Sequence, residues 1–279
     1  MLSYRHAFHA GNFADVLKHL VLIQILEYLN LKDKAWCCVD THAGGGKYAL
    51  DGSYALQNRE FDSGIGKLWL RDDLPDVVND YVKLIKRFNV SEQLSRYPGS
   101  PLIIKQLLRE QDRLFLFELH SEEIKQLRKA MRSDPRIMID QADGLTAAVP
   151  LLPPRERRGL VFIDPSYEMK NDYTLVTETL IKMTKRFATG TYALWYPVVE
   201  RRRNEGLERA LKKSGIGNMQ LFELGVQGDA EGFGMTACGM IIINPPWTLK
   251  AQMDSVLPWL AEELGVNGAG HFRSEVLRD

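Results

Sequence analysis

Apolar runs that alternate with helical stretches constrain this chain more than any other feature of its 279 residues. Helical periodicity marks Asn12 to Asn30, Asp172–Phe187, Arg203–Lys213 and Ala251–Leu264. Strands that alternate with helices predict an α/β fold with a mainly parallel sheet between helical layers. Seven runs are predicted strands: Ala35 to Asp40, a run ending near Glu118, one around Ile139, one ending at Asp164, Thr191 to Val198, Met219 to Leu224, and Cys238 to Trp247.

The interval from Tyr48 to about Tyr97 breaks this alternation, because its apolar residues follow helical patterns only. We therefore predict a small helical insertion between the first and second strands. The chain then divides into a main domain, residues 1–47 and 98–279, and an inserted helical subdomain, residues 48–97.

The first predicted helix has a recognisable start. Asn12 is the predicted N-cap, and Asp15, three residues later, is placed like the acid of a capping box.

Composition excludes several classes of protein. Lysine and arginine number 36, as do aspartate and glutamate, so nucleic acid would have to bind at local patches. The three cysteines form no CxxC pair, and we expect neither a disulfide framework nor a metal site. The N-terminus has no signal-peptide core, and no apolar run approaches the ~20 residues that span a bilayer. We expect a cytoplasmic protein without a membrane segment.

A glycine loop follows the first strand in "VDTHAGGG", with glycine at positions 44 to 46. Glycines let a backbone approach a ligand closely. The spacing is neither the G-x-G-x-x-G of dinucleotide sites nor a phosphate-binding P-loop. Taken alone, the loop fits a ligand site and a plain strand-to-helix turn equally well.

Acidic residues at strand ends favour the ligand site. Glu118, Asp143 and Asp164 lie at or just past the ends of three predicted strands, at the edge where open α/β sheets bind ligands. An acid after the second strand can accept hydrogen bonds from both ribose hydroxyls, and one after the third can accept from an adenine amino group. This set suits S-adenosylmethionine, a nucleoside cofactor without phosphates.

The fourth strand ends in "IDPSY", which suits chemistry on an exocyclic amine. Such an amine is a poor nucleophile, and acceptors at its hydrogens aim its lone pair at the methyl group. Asp164 and the carbonyl of Pro165 are predicted to be those acceptors. Tyr167 is predicted to stack on the base.

Two other interpretations of this motif stay open. Asp164 can serve a helix N-terminus in an acidic turn, with Tyr167 packed in the core. "INPPW", which contains Asn244, matches the amine-methylation motif better in its prolines. We favour Asp164 because its strand is expected to neighbour the first strand, whereas Asn244 closes the last one.

These segments together resemble a known family. "MLSYRHAFHAGNFADVLKHL", "DTHAGGGKY", "YPGSPLI", "FELH", "ADG", "IDPSYE", "RFATGTYALWYPVV" and "INPPW" are similar to the bacterial 23S ribosomal RNA adenine-2030 N6-methyltransferases, the large-subunit methyltransferase J family. The resemblance implies a Rossmann-like seven-stranded S-adenosylmethionine-dependent methyltransferase fold with an inserted helical subdomain. It also implies that the protein acts on one adenine of naked or partly assembled 23S RNA. We expect a monomer.

The resemblance assigns site residues position by position. The tail, residues 1–11, is expected to fold over the active site and to place Tyr4 and His6 by the base. Asp164 is the expected catalytic residue. Ser166 departs from the family, which has a second proline there. Cofactor contacts fall on Lys18, His19, His42, Gly44, Ser100, Glu118, Asp143, Gly144 and Asp164.

Other functions are weighed against this one. The same amine chemistry serves DNA adenine methyltransferases. A nucleotide-binding oxidoreductase is the second alternative, and the absence of the G-x-G-x-x-G dinucleotide motif argues against it. A non-catalytic RNA-binding module is the third, and it would not need an intact Asp164 and Tyr167. Local basic clusters, notably Arg201 to Arg203, are predicted to lie near RNA phosphates.

Overall fold

Residues 5–169, 171–229 and 234–279 are described by the structure, a computed structural model. The strands in these ranges are β1 (Cys37–Asp40), β2 (Lys47–Ala49), β3 (Arg96–Pro98), β4 (Arg113–Phe117), β5 (Ile137–Asp140), β6 (Gly159–Ile163), β7 (Thr191–Val198), β8 (Met219–Gly225), β9 (Ala237–Ile243) and β10 (His271–Arg278).

The central sheet has the strand order β10-β8-β9-β7-β6-β1-β4-β5. The strands from β5 through β4, β1 and β6 to β7 are parallel. Parallel strands end at the same edge, so residues far apart in sequence meet there. β9 runs antiparallel to both β7 and β8, and β10 runs antiparallel to β8.

Two groups of helices pack on this sheet. α10, α1, α5 and α6 contact one another in succession, and so do α7, α8 and α9. The α/β fold class is therefore confirmed. The helices are α1 (Phe13–Asn30), α2 (Ser53–Asn58), α3 (Ile65–Leu68), α4 (Asp76–Lys86), α5 (Ser100–Leu107), α6 (Ser121–Met131), α7 (Gly144–Ala147), α8 (Asp172–Arg186), α9 (Arg201–Lys213) and α10 (Leu249–Leu264). No helix in the described ranges combines the length and apolarity needed to cross a bilayer.

Helix α1 contacts two strands and three helices: β7, β9, α4, α5 and α10. Nearly all its side chains are buried, as expected for a helix that is apolar around most of its circumference. Asn12 is the N-cap, as predicted, and its Oδ1 accepts the N–H groups of Ala14 and Asp15. The capping-box prediction for Asp15 was wrong by one residue, because its Oδ2 accepts the N–H of Gly11 at 2.8 Å.

The interval 48–97 contributes no strand to the central sheet. It contains α2, a 3-10 helix at Glu60–Ser63, α3 and α4, and it opens and closes through the antiparallel pair β2–β3. A Cβ on Gly64 would lie 2.2 Å from the carbonyl oxygen of Gly11, so this segment meets the N-terminal segment backbone to backbone. The division of the chain into two domains stays a prediction.

The strand count needs a correction. The sequence predicts seven strands, whereas the central sheet has eight in the described residues. The extra strand, β10, has charged and half-exposed residues on both faces, and only Leu277 is buried. An edge strand of this kind lacks the apolar pattern that identifies a strand.

Candidate active site

A cavity of about 260 Å³ opens at the carboxyl edge of the parallel strands. Its lining joins residues that directly follow β1, β4 and β6 to residues of α1, although these elements are far apart in sequence. It brings together all nine residues that the sequence analysis assigns to the cofactor, with His6 and Pro165 beside them. Those nine are Lys18, His19, His42, Gly44, Ser100, Glu118, Asp143, Gly144 and Asp164.

The glycine loop and Glu118 form one side of the cavity. Gly44 has φ +61°, and a Cβ there would lie 2.4 Å from the Tyr48 hydroxyl, so both conformation and space favour glycine. Glu118 accepts the N–H of Gly44 at 2.8 Å through Oε2 and that of His120 at 2.7 Å through Oε1. Burial raises the pKa of Glu118 although both backbone bonds favour the carboxylate.

Asp143 and Gly144 form the part of the cavity that follows β5. Asp143 is the N-cap of α7, and its Oδ1 accepts the N–H of Leu145 at 3.1 Å. A Cβ on Gly144 would lie 2.0 Å from the carbonyl oxygen of Thr41, which explains the glycine as a close chain crossing. Both residues line the cavity while serving the local fold.

Two histidines line the cavity in the neutral form, His19 buried and His42 partly buried. Burial lowers the pKa of His19 to about 3 and that of His42 to about 4. His19 Nδ1 lies 2.8 Å from the Tyr97 hydroxyl, and His42 Nδ1 lies 2.8 Å from Thr41 Oγ1. Neutral imidazoles in this cavity favour a ligand that needs hydrogen bonds rather than a phosphate that needs positive charge.

Asp40, which the sequence analysis missed, ends β1 beneath the cavity. It is fully buried, and it accepts hydrogen bonds from Ser100 Oγ at 2.7 Å and from the N–H of His42 at 3.2 Å. Burial raises its pKa to about 7. The signal was available, since Asp40 ends the first strand just as other acids end or follow the next three.

A buried charge network connects β6 with α1. Lys18 Nζ lies 2.6 Å from Asp164 Oδ2 and 2.8 Å from Asp15 Oδ1. Asp15 Oδ2 lies 2.9 Å from His6 Nε2. Burial would raise the pKa of Asp15, but the neighbouring His6 and Lys18 outweigh it and hold the pKa well below its usual range.

A second cavity of about 520 Å³ adjoins the first, and His6, Lys18, Asp164, Ser166 and Trp195 line both. Asp164 therefore lies where the two meet. Within the described ranges, its only hydrogen bond is the one from Lys18 to Oδ2. Oδ1 is left to accept a hydrogen bond from a ligand.

Tyr167 lines the second cavity from a buried position. Its hydroxyl donates to the carbonyl of Trp195 at 2.9 Å, and its ring centroid is 4.4 Å from that of Tyr173. Its φ of +54° is uncommon for a bulky residue. Stacking of Tyr167 on a substrate base stays a prediction.

The N-terminal segment meets both the insertion and α1. His6 reaches Asp15, and His9 Nδ1 lies 2.9 Å from Glu60 Oε1. The side chain of Arg5 donates to the Tyr54 hydroxyl at 2.8 Å. Tyr4, predicted to lie by the substrate base, falls outside the described residues.

The competing residue Asn244 lies at the opposite edge of the sheet. β9 runs antiparallel to β7 and pairs Ile243 with Tyr192, so its carboxyl end meets the start of β7. Asn244 Nδ2 donates to the carbonyls of Ala188 and Gly190, both at 2.8 Å. Asn244 therefore serves a turn away from both cavities.

The basic cluster Arg201 to Arg203, in the first turn of α9, has mixed roles. Arg201 pairs with Glu223 at 2.8 Å and with Asp229 at 2.7 Å. Arg203 pairs with Glu200 and lines the second cavity. Only part of the cluster therefore faces a binding space. Across the ranges that the structure describes, no three His, Cys, Asp or Glu side chains are grouped as a metal site requires.

Comparison with known proteins gives consistent similarities over nearly the whole chain. The family model described as "Ribosomal RNA large subunit methyltransferase D, RlmJ" matches residues 33–277. The ribosomal RNA large subunit methyltransferase J of Escherichia coli is 50% identical over 97% of both chains. That of Haemophilus influenzae is 48% identical over 99% of this chain and 98% of its own. A crystal structure of the Legionella pneumophila protein LPL1258 has a TM-score of 0.89 and 38% identity, with 96% of this chain and 98% of that chain covered.

Proposed function

The chain belongs to the RlmJ family of ribosomal RNA large subunit methyltransferases, and we propose that it methylates the exocyclic N6 amino group of one adenine in 23S RNA. The position of Asp164 at the junction of the two cavities carries this proposal. The acceptor adenine is of the 2030 type named for the family, and S-adenosylmethionine is the methyl donor.

The first cavity fits that donor. S-adenosylmethionine, when bound, supplies an electrophilic methyl group on a sulfonium. The cavity offers carboxylates for hydroxyl, amino and ammonium groups, and Lys18 is its one lysine or arginine among the described lining residues. A phosphate-bearing cofactor would require more positive charge than this lining supplies.

Asp164 and Pro165 orient the target amine. The free Oδ1 of Asp164 accepts one N6 hydrogen and the backbone carbonyl of Pro165 accepts the other, which turns the nitrogen lone pair toward the methyl group. As nitrogen gains the methyl group it becomes positive, and the carboxylate stabilises that charge. A proton then leaves the nitrogen, and Asp164 is the nearest base in this arrangement.

Lys18 fixes the Asp164 carboxylate. Its ammonium holds Oδ2 at 2.6 Å and lies 5.7 Å from the centre of the Trp195 ring. This contact holds the Asp164 carboxylate in place without occupying the oxygen that the amine needs. Removal of one member of a buried pair costs about 3–5 kcal/mol, so the charges are expected to act as a unit.

The second cavity receives the adenine and the nucleotide next to it. At about 520 Å³ it exceeds the space that one base needs, and Arg203 on its wall suits a neighbouring phosphate. Tyr4, His6 and Tyr167 are the residues proposed to contact the base. The proposal includes action in the cytoplasm, as a monomer, on naked or partly assembled 23S RNA, with a methyltransferase domain of residues 1–47 and 98–279.

Turnover on unmethylated 23S RNA tests the assignment. Asp164→Ala is expected to lower turnover by about a hundredfold or more, because the amine loses a charged acceptor. Ser166→Pro is expected to stay within about tenfold of wild type, since position 166 contributes neither acceptor and the proline only restricts the loop.

Asn244→Ala is the matched control at the other motif. It is expected to reduce stability, because two carbonyls lose their donor, but to keep turnover per folded molecule. A DNA strand of the same sequence is the alternative substrate. Methylation by Asp164→Ala at the wild-type rate, together with an inactive Asn244→Ala, would refute the choice of strand end.

A further inference from the structure

Glu123, in the first turn of α6, has one carboxylate oxygen whose hydrogen bonding is unsatisfied within the described residues. The residue lines the first cavity and is 8% exposed. Its Oε2 is buried and has no hydrogen-bond partner among the residues that the structure describes. A buried carboxylate oxygen without a donor is unfavourable, and because Glu123 lines the cavity, a ligand bound there can supply the donor.

The glycine loop makes room for this oxygen but does not satisfy it. A Cβ on Gly45 would lie 2.5 Å from Glu123 Oε2 and 3.2 Å from Gln126 Oε1. The N–H of Gly45 donates to the Tyr48 hydroxyl at 3.1 Å instead. The oxygen therefore lies against the loop beside another acceptor, and it requires a donor from the cavity.

The neighbouring acid indicates which donor this is. Glu118 lies close enough to Glu123 for the two charges to interact, and each Glu118 oxygen already accepts one backbone N–H. Each of those oxygens keeps one further lone pair. Two carboxylates on one wall of the cavity match two adjacent hydroxyl donors.

We propose that Glu123 accepts a hydrogen bond from one ribose hydroxyl of the cofactor while Glu118 accepts from the other. This inference rests on the proposed function and assigns a further binding residue to its cofactor cavity. The ribose diol is thereby bracketed by two acids, one after β4 and one in α6.

Calorimetry with S-adenosylhomocysteine and with 5′-methylthioadenosine, which keeps the ribose but lacks the amino-acid part, tests the proposal. Glu123→Gln is expected to weaken binding of both compounds by a similar factor, about ten- to a hundredfold, as for loss of a hydrogen bond to a charged acceptor. Gly45→Ala displaces the carboxylate without removing it and is expected to weaken both compounds in the same way.

Glu122→Gln is the matched control, since Glu122 precedes Glu123 in the same helix turn and is exposed. It is expected to bind as wild type does. Without ligand, Glu123→Gln is expected to melt no lower than Glu122→Gln, because the lost oxygen has no partner to forfeit.

Three results would overturn the role of Glu123. These are wild-type affinity in Glu123→Gln, weakening confined to S-adenosylhomocysteine, and a lower melting temperature for Glu123→Gln than for Glu122→Gln. If the wild-type protein bound neither compound, the proposed function itself would be refuted. If the wild-type protein bound both compounds and Glu123→Gln bound them equally well, only the role of Glu123 would be refuted.

Discussion

Asp15 shows how one residue can connect a helix start to the reaction site. It accepts the N–H of Gly11, pairs with Lys18 and lies against His6, while being 1% exposed. Its position three residues after Asn12 suggested only a cap. Through Lys18 it supports the carboxylate of Asp164, so we expect it to act as a positioning residue.

Asp15→Asn is expected to lower the turnover number by about tenfold or more while changing cofactor affinity less. The reason is that Lys18 loses the charge of Asp15, so that Asp164 alone remains to balance the Lys18 ammonium. The free energy of unfolding should fall by about 2–3 kcal/mol. Asp76→Asn, an exposed acid in the first turn of α4, is the control and should cost at most about 1 kcal/mol with turnover unchanged. Steady-state kinetics and denaturant unfolding separate the two effects, and equal turnover in both variants would contradict the positioning role.

Strand-end residues were the part of the site that sequence reasoning could identify. Parallel strands bring their ends together, so Glu118, Asp143 and Asp164 were predicted to share an edge before any contact was known. Asp15 and Glu123 were not predictable in this way. Their roles depend on where individual side-chain atoms lie relative to other elements and to the cavity, and helix periodicity carries no such information.

At the scale of elements, β10 is the clearest departure from expectation. Its polar sequence does not predict a strand, because β10 is held to the fold by ion pairs rather than by a buried apolar face. Arg273 pairs with Glu208 at 2.8 Å and approaches the fully buried Glu223 at 3.6 Å. Strands β1 and β4 to β9 were predictable because each carries an apolar run, which is largely buried in all of them except the edge strand β5. The polar strand β10 can be recognised only through its partners.

Arg273→Ala is expected to lower the free energy of unfolding by about 1–3 kcal/mol. Glu223 would keep Arg201 and the Tyr196 hydroxyl, which limits the loss. Arg209→Ala removes an exposed pair with Glu205 and should cost under about 1 kcal/mol. Urea unfolding of both variants measures the difference, and equal midpoints would mean that β10 is not held by Arg273.

For the whole molecule, buried titratable groups determine how stability responds to acid. His19 and His42 stay neutral in the folded protein because burial lowers their pKa values to about 3 and about 4. Their unfolded forms bind protons below about pH 6.5. Their contribution to stability is therefore present above pH 6.5 and is lost as the pH falls toward 4. Asp40 acts in the opposite direction, because burial raises its pKa to about 7 and the folded state keeps that proton.

We expect the free energy of unfolding of the cofactor-free protein to decline from pH 6.5 to pH 4. His42→Gln should flatten this decline by about 1.4 kcal/mol per pH unit, since one proton is no longer taken up on unfolding. Urea titrations at half-unit pH steps measure the slope. A variant whose decline parallels that of wild type would show that His42 is not the group responsible.

The antiparallel pair β2–β3 has a consequence for how such enzymes diversify. The segment that this pair encloses begins after Lys47 and ends before Pro98, which are paired residues. The two ends of the segment are thus roughly one strand spacing, about 5 Å, apart. Each doubling of the segment's length costs only about 0.6 kcal/mol in closure entropy, so its length can change without shifting the sheet register. Gly64 sets the boundary of that freedom, because any side chain there would overlap the backbone of Gly11 and Asn12.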